Sequence, residues 1–287
     1  MKRPRNAQTI LLALIAIAFS IHVKAQDIVY GMEDSTFIAN VIKEHPSSSF
    51  PDTGMRIIAI ASEFIGKEYI PSTLDSFTDE PLYVSTSRLD CTTFMELVAA
   101  MAISDPDKEG AFAGTCRMLE KLRYRNGVRD GYSSRLHYIS WWIDDTAKRG
   151  IIEERITGHH TAVQRLSTTY MSTHAQAYAR LKGNPKTASE IAAHEAAFSG
   201  KEIRYIPKEN IDLLDKGEIA DGDIIAIVTS IEGLDVTHVG FAYWNNDRLH
   251  MIHASGSKGA VINDSIPLAE YLAGKKKHCG IRIFRVL

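Results

Sequence analysis

The chain changes texture after Gly200, and that change constrains the fold more than any other feature. Residues 223–229, 237–244, 249–254, 260–263 and 281–287 are short runs rich in β-branched and aromatic side chains, the pattern of strands. Asn245-Asn246-Asp247 separates the second run from the third with residues that accept a left-handed turn, so those two strands are expected to form a hairpin. Before Gly200 the period is helical. Ile57, Ile58, Ala61, Phe64 and Ile65 mark a helix over 55–69, and Phe94, Leu97, Val98 and Met101 mark another over 92–101. Phe112, Cys116, Leu119 and Leu122 share one face of a helix over 110–124. Further helices are expected over 138–149 and 187–199, the last stopped by Gly200. Helices first and strands afterwards predict an α+β fold with an antiparallel sheet.

The first 25 residues stand apart. Lys2, Arg3 and Arg5 precede an apolar run from Ile10 to Val23, and Val23-Lys24-Ala25 ends it with small residues near a cleavage point, so 1–25 reads as a secretory signal peptide. No cysteine follows that run to take a lipid anchor, and no later stretch has the roughly 20 apolar residues of a membrane span. The remaining residues, 26–287, are expected to form one catalytic domain, with a helical insertion over about 102–215, in a soluble protein exported to the periplasm. Losing the leader removes four positive charges and no acids, taking the net charge from −2 to −6, which disfavours nucleic acid as a partner.

Three cysteines are an odd number for an exported chain, so at least one free thiol is expected. Leu89-Asp90-Cys91-Thr92-Thr93-Phe94 puts one of them in the first turn of a core helix, where unpaired N–H groups and the helix dipole favour a thiolate. A nucleophilic cysteine needs a base, and Thr237-His238-Val239-Gly240 places His238 near the start of a strand. The imidazole needs an orienting partner, and His253 on the next strand supplies it, whereas His250, three residues away, faces the other side. Cys116 sits on an apolar helical stripe and reads as core, and Cys279, beside Lys275, Lys276, Lys277 and His278, reads as part of a solvated turn. No metal is expected: His159-His160 cannot both face one ion from a regular element, and His194-Glu195 lacks the second histidine of a zinc helix. Without a Gly-rich phosphate loop or dinucleotide fingerprint, no cofactor is expected either.

The order of these segments, with Asp221-Gly222-Asp223-Ile224 opening the first strand and His253-Ala254-Ser255 closing the third, resembles the papain-fold NlpC-type cell-wall peptidases and amidases. Tyr69-Ile70-Pro71-Ser72-Thr73-Leu74-Asp75, Leu89 to Glu96 and Tyr132-Ser133-Ser134-Arg135-Leu136-His137 resemble the N-acetylmuramoyl-L-alanine amidase-like branch of that group. The resemblance implies a papain-like domain with Cys91 as nucleophile, His238 as general base and acid, and His253 as the third member. It also implies that Tyr69 assists at the oxyanion site, that Asp90, Thr92 and Ser255 line the substrate groove, and that Arg135 and His137 reach a substrate carboxylate. The substrate so implied is a peptidoglycan fragment, cut between N-acetylmuramic acid and L-alanine. A stem-peptide endopeptidase cutting after γ-D-glutamate, or a muropeptide-binding module without turnover, would carry the same residues. Cys91 and His238 are separated by more chain than compact domains of this type need, and an insertion walling the groove would favour small soluble muropeptides over intact wall.

Overall fold

A computed structural model describes residues 28–155 and 160–287; the segment 1–25 read as a leader lies outside them, as does His159. The helices are α1 (Met32–Glu44), α2 (Thr53–Ser62), α3 (Cys91–Ile103), α4 (Pro106–Glu109), α5 (Ala111–Arg123), α6 (Ile139–Lys148), α7 (Tyr170–Thr173), α8 (Pro185–Phe198) and α9 (Leu268–Ala273). Two short strands, β1 (Ile28–Val29) and β2 (Leu82–Tyr83), pair in parallel beside the helices. The other strands are β3 (Ile152–Glu154), β4 (Ala162–Arg165), β5 (Glu202–Pro207), β6 (Ile224–Thr229), β7 (Val236–Asn245), β8 (Arg248–Ser255), β9 (Ala260–Asn263) and β10 (His278–Val286). They form one antiparallel sheet in the order β4-β5-β10-β6-β7-β8-β9, with β3 also pairing with β10. The chain thus folds as helices packed on an antiparallel sheet.

The sheet buries both faces. On one, Ala226, Val239, Phe241, Ile252 and Phe284 join the helical core; on the other, Ile225, Ile227, Met251 and Ile283 meet Leu268 and Leu272 of α9. Alternation along a strand requires this division, and it explains why every residue of β6 is buried. Helix α3 is apolar nearly all round and is buried from Thr93 to Ala102, as a helix at the centre of a core must be. Phe94 stacks edge-on between Phe64 and Phe241, at 5.8 and 5.7 Å between ring centres, and so seats α3 on β7. The expected hairpin is present: Asn246 and Asp247, with φ of 47° and 58°, make the tight turn from β7 to β8.

Three expectations change. The helix expected over 55–69 ends at Ser62, because Gly66, at φ 87°, turns the chain out to the sheet edge, where the Gly66 and Tyr69 N–H groups donate to Val261 and Gly259. The stretch 102–215 is not wholly helical, since β3, β4 and β5 lie within it. β3 is three residues long, β4 is an edge strand, and β5 intersperses buried isoleucines with charged residues, so none has the run of buried β-branched residues by which a sequence announces a strand. Cys279 belongs to β10 and not to a turn. No helix among the described residues is long and apolar enough to cross a membrane.

Candidate active site

Cys91 is the first residue of α3 because Asp90 stops the chain there. The Asp90 carboxylate accepts the Thr93 N–H at 2.8 Å, and Thr93 Oγ1 accepts the Asp90 N–H at 2.9 Å, a reciprocal cap. With its carboxylate so engaged, Asp90 acts first as a helix cap beside the nucleophile candidate. Thr92 follows on the same turn, its hydroxyl 4.0 Å from the sulfur.

Strands β7 and β8 pair from Asn245↔Arg248 to Phe241↔Ile252 and then part, β7 staying with β6 and β8 with β9. The N-terminus of α3 meets this opening, and the Val239 backbone N–H is directed at the sulfur. The parted strands carry the histidines. His238 Nε2 lies 2.5 Å from His253 Nδ1, with the rings edge to face. Alternation puts both on the side of Ala242 and Met251, under α9, while Cys91 packs with the helical core on the other face of the sheet. Among the described residues no hydrogen bond joins Cys91 Sγ to His238 directly, and His238 Nδ1 has no hydrogen-bond partner. His250 is set apart: its Nδ1 donates to the Asp264 carbonyl at 2.9 Å.

Two residues of this site carry no signature of their own in the sequence. Gly240 lies between the histidines, where an added Cβ would come within 2.8 Å of His253 Cβ and 2.6 Å of Met251 Cγ; glycine is what lets His253 approach His238. Asp264, just past β9, puts Oδ2 3.4 Å from His253 Nε2, while its Oδ1 accepts the Ile266 N–H at 3.0 Å. An acid at the end of the strand beside His253 was the available signal, but only the β8–β9 register makes it a neighbour.

The electrostatics reverse one expectation. Burial, reinforced by the Asp90 charge, pushes the Cys91 thiol up to about 11, and the N–H of Val239 and the Thr92 groups only partly offset this. The helix N-terminus therefore does not hold a thiolate at rest. Burial, with His253, His278 and Lys275 nearby, drives His238 down to about 3, and burial lowers His253 against the pull of Asp264. The resting pair is a thiol and a neutral imidazole.

Tyr69 stands close by. Burial and then the charges of Cys91 and Asp90 push its hydroxyl up to about 12, so it remains a donor. Its ring packs over Gly256, where a Cβ would lie 3.3 Å away, next to Ser255, whose buried hydroxyl is 3.3 Å from that of Ser257. Arg135 and His137 are placed differently from what the resemblance implied. The Arg135 guanidinium takes Glu80 with two N–H groups, Asp75 with a third and the Leu74 carbonyl with a fourth, which leaves one of its five for anything else. The His137 ring packs on Tyr132 and bonds the Tyr132 carbonyl at 2.9 Å, and burial holds it neutral. Arg135, which also lies over the Tyr132 ring, thus ties the 70–80 loop to the Tyr132 turn, and His137 braces that turn from within.

Residues 59–281 match the family model described as AmiA-like, N-acetylmuramoyl-L-alanine amidase-like. The chain belongs to the N-acetylmuramoyl-L-alanine amidase-like family. A crystal structure of an N-acetylmuramoyl-L-alanine amidase from Bacteroides uniformis is similar to it, with 34% identity, coverage of 82% of this chain and 99% of that one, and a TM-score of 0.77. A Bacteroides fragilis protein provisionally named a xylanase is 38% identical, over 79% of this chain and 99% of that one, with a TM-score of 0.74. A Legionella pneumophila protein, 23% identical, shares the fold at a TM-score of 0.67 over 88% of this chain and 95% of that one. No curated protein matches the chain.

One group of side chains among the described residues lies close enough to share an ion: Glu44, His45 and Glu63, whose candidate ligand atoms fall within 4.8 Å of one another at the surface. His45 is already paired with Glu63 there, at 3.0 Å.

Proposed function

We propose that this protein is an exported cysteine amidohydrolase of the NlpC-type papain-like kind, which hydrolyses the amide between N-acetylmuramic acid and L-alanine in peptidoglycan fragments. The observation that carries the reading is Cys91 at the N-terminus of α3 with Tyr69 beside it and its sulfur against the Val239 backbone of β7, next in the chain to His238, which is hydrogen-bonded to His253. Family membership supports the amidase and peptidoglycan parts, and the leader-like pattern of 1–25 supports export. A glycosidase would need two carboxyl groups facing one bond, whereas Asp90, the acid beside the sulfur, is held as a helix cap.

In this mechanism the Cys91 thiol attacks the amide carbonyl as His238 Nδ1 takes its proton, so charge forms only as the carbon–sulfur bond forms. The oxyanion is held by the Cys91 backbone N–H and the Tyr69 hydroxyl. His238 passes the proton to the leaving L-alanine nitrogen, the C–N bond breaks, and a lactyl thioester remains. Water, deprotonated by His238, attacks the thioester; the tetrahedral adduct collapses, Cys91 takes back its proton, and the free lactyl acid leaves.

Mass spectrometry of a disaccharide-tetrapeptide incubated with the protein tests the bond. The expected products are the free disaccharide and an intact tetrapeptide beginning with L-alanine, neither formed by Cys91→Ser. A shortened peptide would make the protein a stem-peptide endopeptidase, and an unchanged substrate would make it a binding module. Soluble fragments are expected to react faster than whole sacculi, and equal rates would remove that preference.

A second expectation concerns pH. The active forms are neutral His238 and protonated Cys91, and these are lost only toward pH about 3 and about 11 respectively. The pH profile of kcat/KM should therefore be flat from about pH 5 to about pH 9. A bell with both limbs inside that window would mean a resting thiolate–imidazolium pair instead.

A further inference from the structure

We infer that Asp264 is a positioning residue that sets the direction of the hydrogen-bond chain through His253 and His238, and so makes His238 Nδ1 a proton acceptor for Cys91. The inference rests on the reading of Cys91 and His238 as a catalytic pair.

A neutral imidazole carries one N–H and one bare nitrogen, and which is which depends on its partners. His253 is fully buried, and its only polar partners among the described residues are His238 Nε2 at 2.5 Å and Asp264 Oδ2 at 3.4 Å. An ionised carboxylate only accepts, so His253 places its hydrogen on Nε2, toward Asp264. Its Nδ1 is then bare and has to accept from His238 Nε2–H. That leaves the lone pair of His238 on Nδ1, the nitrogen with no hydrogen-bond partner. In the opposite order a bare nitrogen would face the carboxylate inside the core, where nothing offsets the repulsion.

The carboxylate is itself held in place. Its Oδ1 accepts the Ile266 N–H at 3.0 Å, its backbone N–H donates to the Met251 carbonyl at 3.0 Å, and its carbonyl accepts from His250. This anchoring makes the inference testable. In Asp264→Asn the amide oxygen is needed by Ile266 N–H, so the NH₂ group takes the Oδ2 position and points a donor at His253 Nε2. The His253 hydrogen moves to Nδ1 and donates to His238 Nε2, and the His238 hydrogen moves to Nδ1. The total number of protons is unchanged, but His238 now presents a donor where the mechanism needs an acceptor. Asp264→Ala removes the carboxylate without imposing the wrong order, since both tautomers of His253 remain open.

The experiment compares the two variants in full-length protein on the disaccharide-tetrapeptide, with denaturant unfolding of each. Asp264→Asn should lower kcat by about 10³-fold with KM within about twofold, and Asp264→Ala by only about 10-fold, although Asn is the better-folded variant. A residue with a merely structural role would give the reverse ranking, the isosteric Asn milder than Ala, and that result overturns the inference. Alkylation of Cys91 by iodoacetamide, read by peptide mass spectrometry, should follow the same order, with Asn slower than Ala. Because alkylation needs no muropeptide, inactivity of the wild type on every muropeptide would count against the proposed function, while an inverted alkylation order would count against the role of Asp264.

Discussion

Cys91→Ala and His238→Ala are each expected to lower kcat/KM by about 10⁴-fold or more, and the double variant to lower it no further than the worse single one. The reason lies in the resting state. With the thiol pushed up to about 11 and the imidazole down to about 3, neither group is charged before substrate arrives. A thiol without its base is a poor nucleophile here, because desolvation has removed the small thiolate population that a free cysteine has near neutrality. A base without the thiol has nothing to activate except water, held farther from the carbonyl. The two act as one unit, so their losses should not add. Steady-state kinetics on the defined muropeptide, with folding of each variant checked by circular dichroism, decides it; additive losses would mean that the two residues act independently.

The largest stability effect is expected at the base of α3. Glu96 Oε2 and Arg123 Nε are 2.7 Å apart, each side chain 2% exposed, and Arg123 also donates to the Tyr83 carbonyl at 2.7 Å. This pair joins α3 to the end of α5 and to β2, and so anchors the helix that presents Cys91. Burial pushes the Glu96 carboxyl up, and Arg123 opposes it. Arg123→Met should therefore destabilise the fold by about 3–5 kcal/mol, chiefly because Glu96 is left buried without its counter-charge. Adding Glu96→Leu should recover most of that loss, since an apolar pair of similar volume carries no desolvation cost. Urea unfolding of the two single variants and the double closes the cycle, and a double variant as unstable as Arg123→Met would show that shape and not charge dominates the site.

Much of the candidate site could be read locally. Cys91 stood out because a capping acid and an apolar helical period place it on a first helical turn, and His238 and His253 because each sits in a strand-like run with a hairpin turn between them. Arg135 and His137 could not be read this way. Glu80 and Asp75, the acids that occupy Arg135, are 55 and 60 residues away, and nothing near Arg135 in the chain shows that its guanidinium is already taken. Gly240 and Asp264 were hidden for the same reason: one matters through the side chain of His253 on a neighbouring strand, the other through the β8–β9 register.

The sequence by itself determined α3, α5, α6 and α8, the β7–β8 hairpin, the cysteine at the start of α3 and the two strand histidines, because periodicity, capping and turn chemistry act over a few neighbouring residues, while α1 was not foreseen. Only the tertiary structure decided that β7 and β8 part at Phe241↔Ile252 to admit the N-terminus of α3, and that Asp264 stands behind His253. It also decided that Cys91 rests as a thiol. A helix N-terminus favours the thiolate through groups one or two residues away, but the desolvation that outweighs it comes from chain brought in from far along the sequence, which no local pattern records.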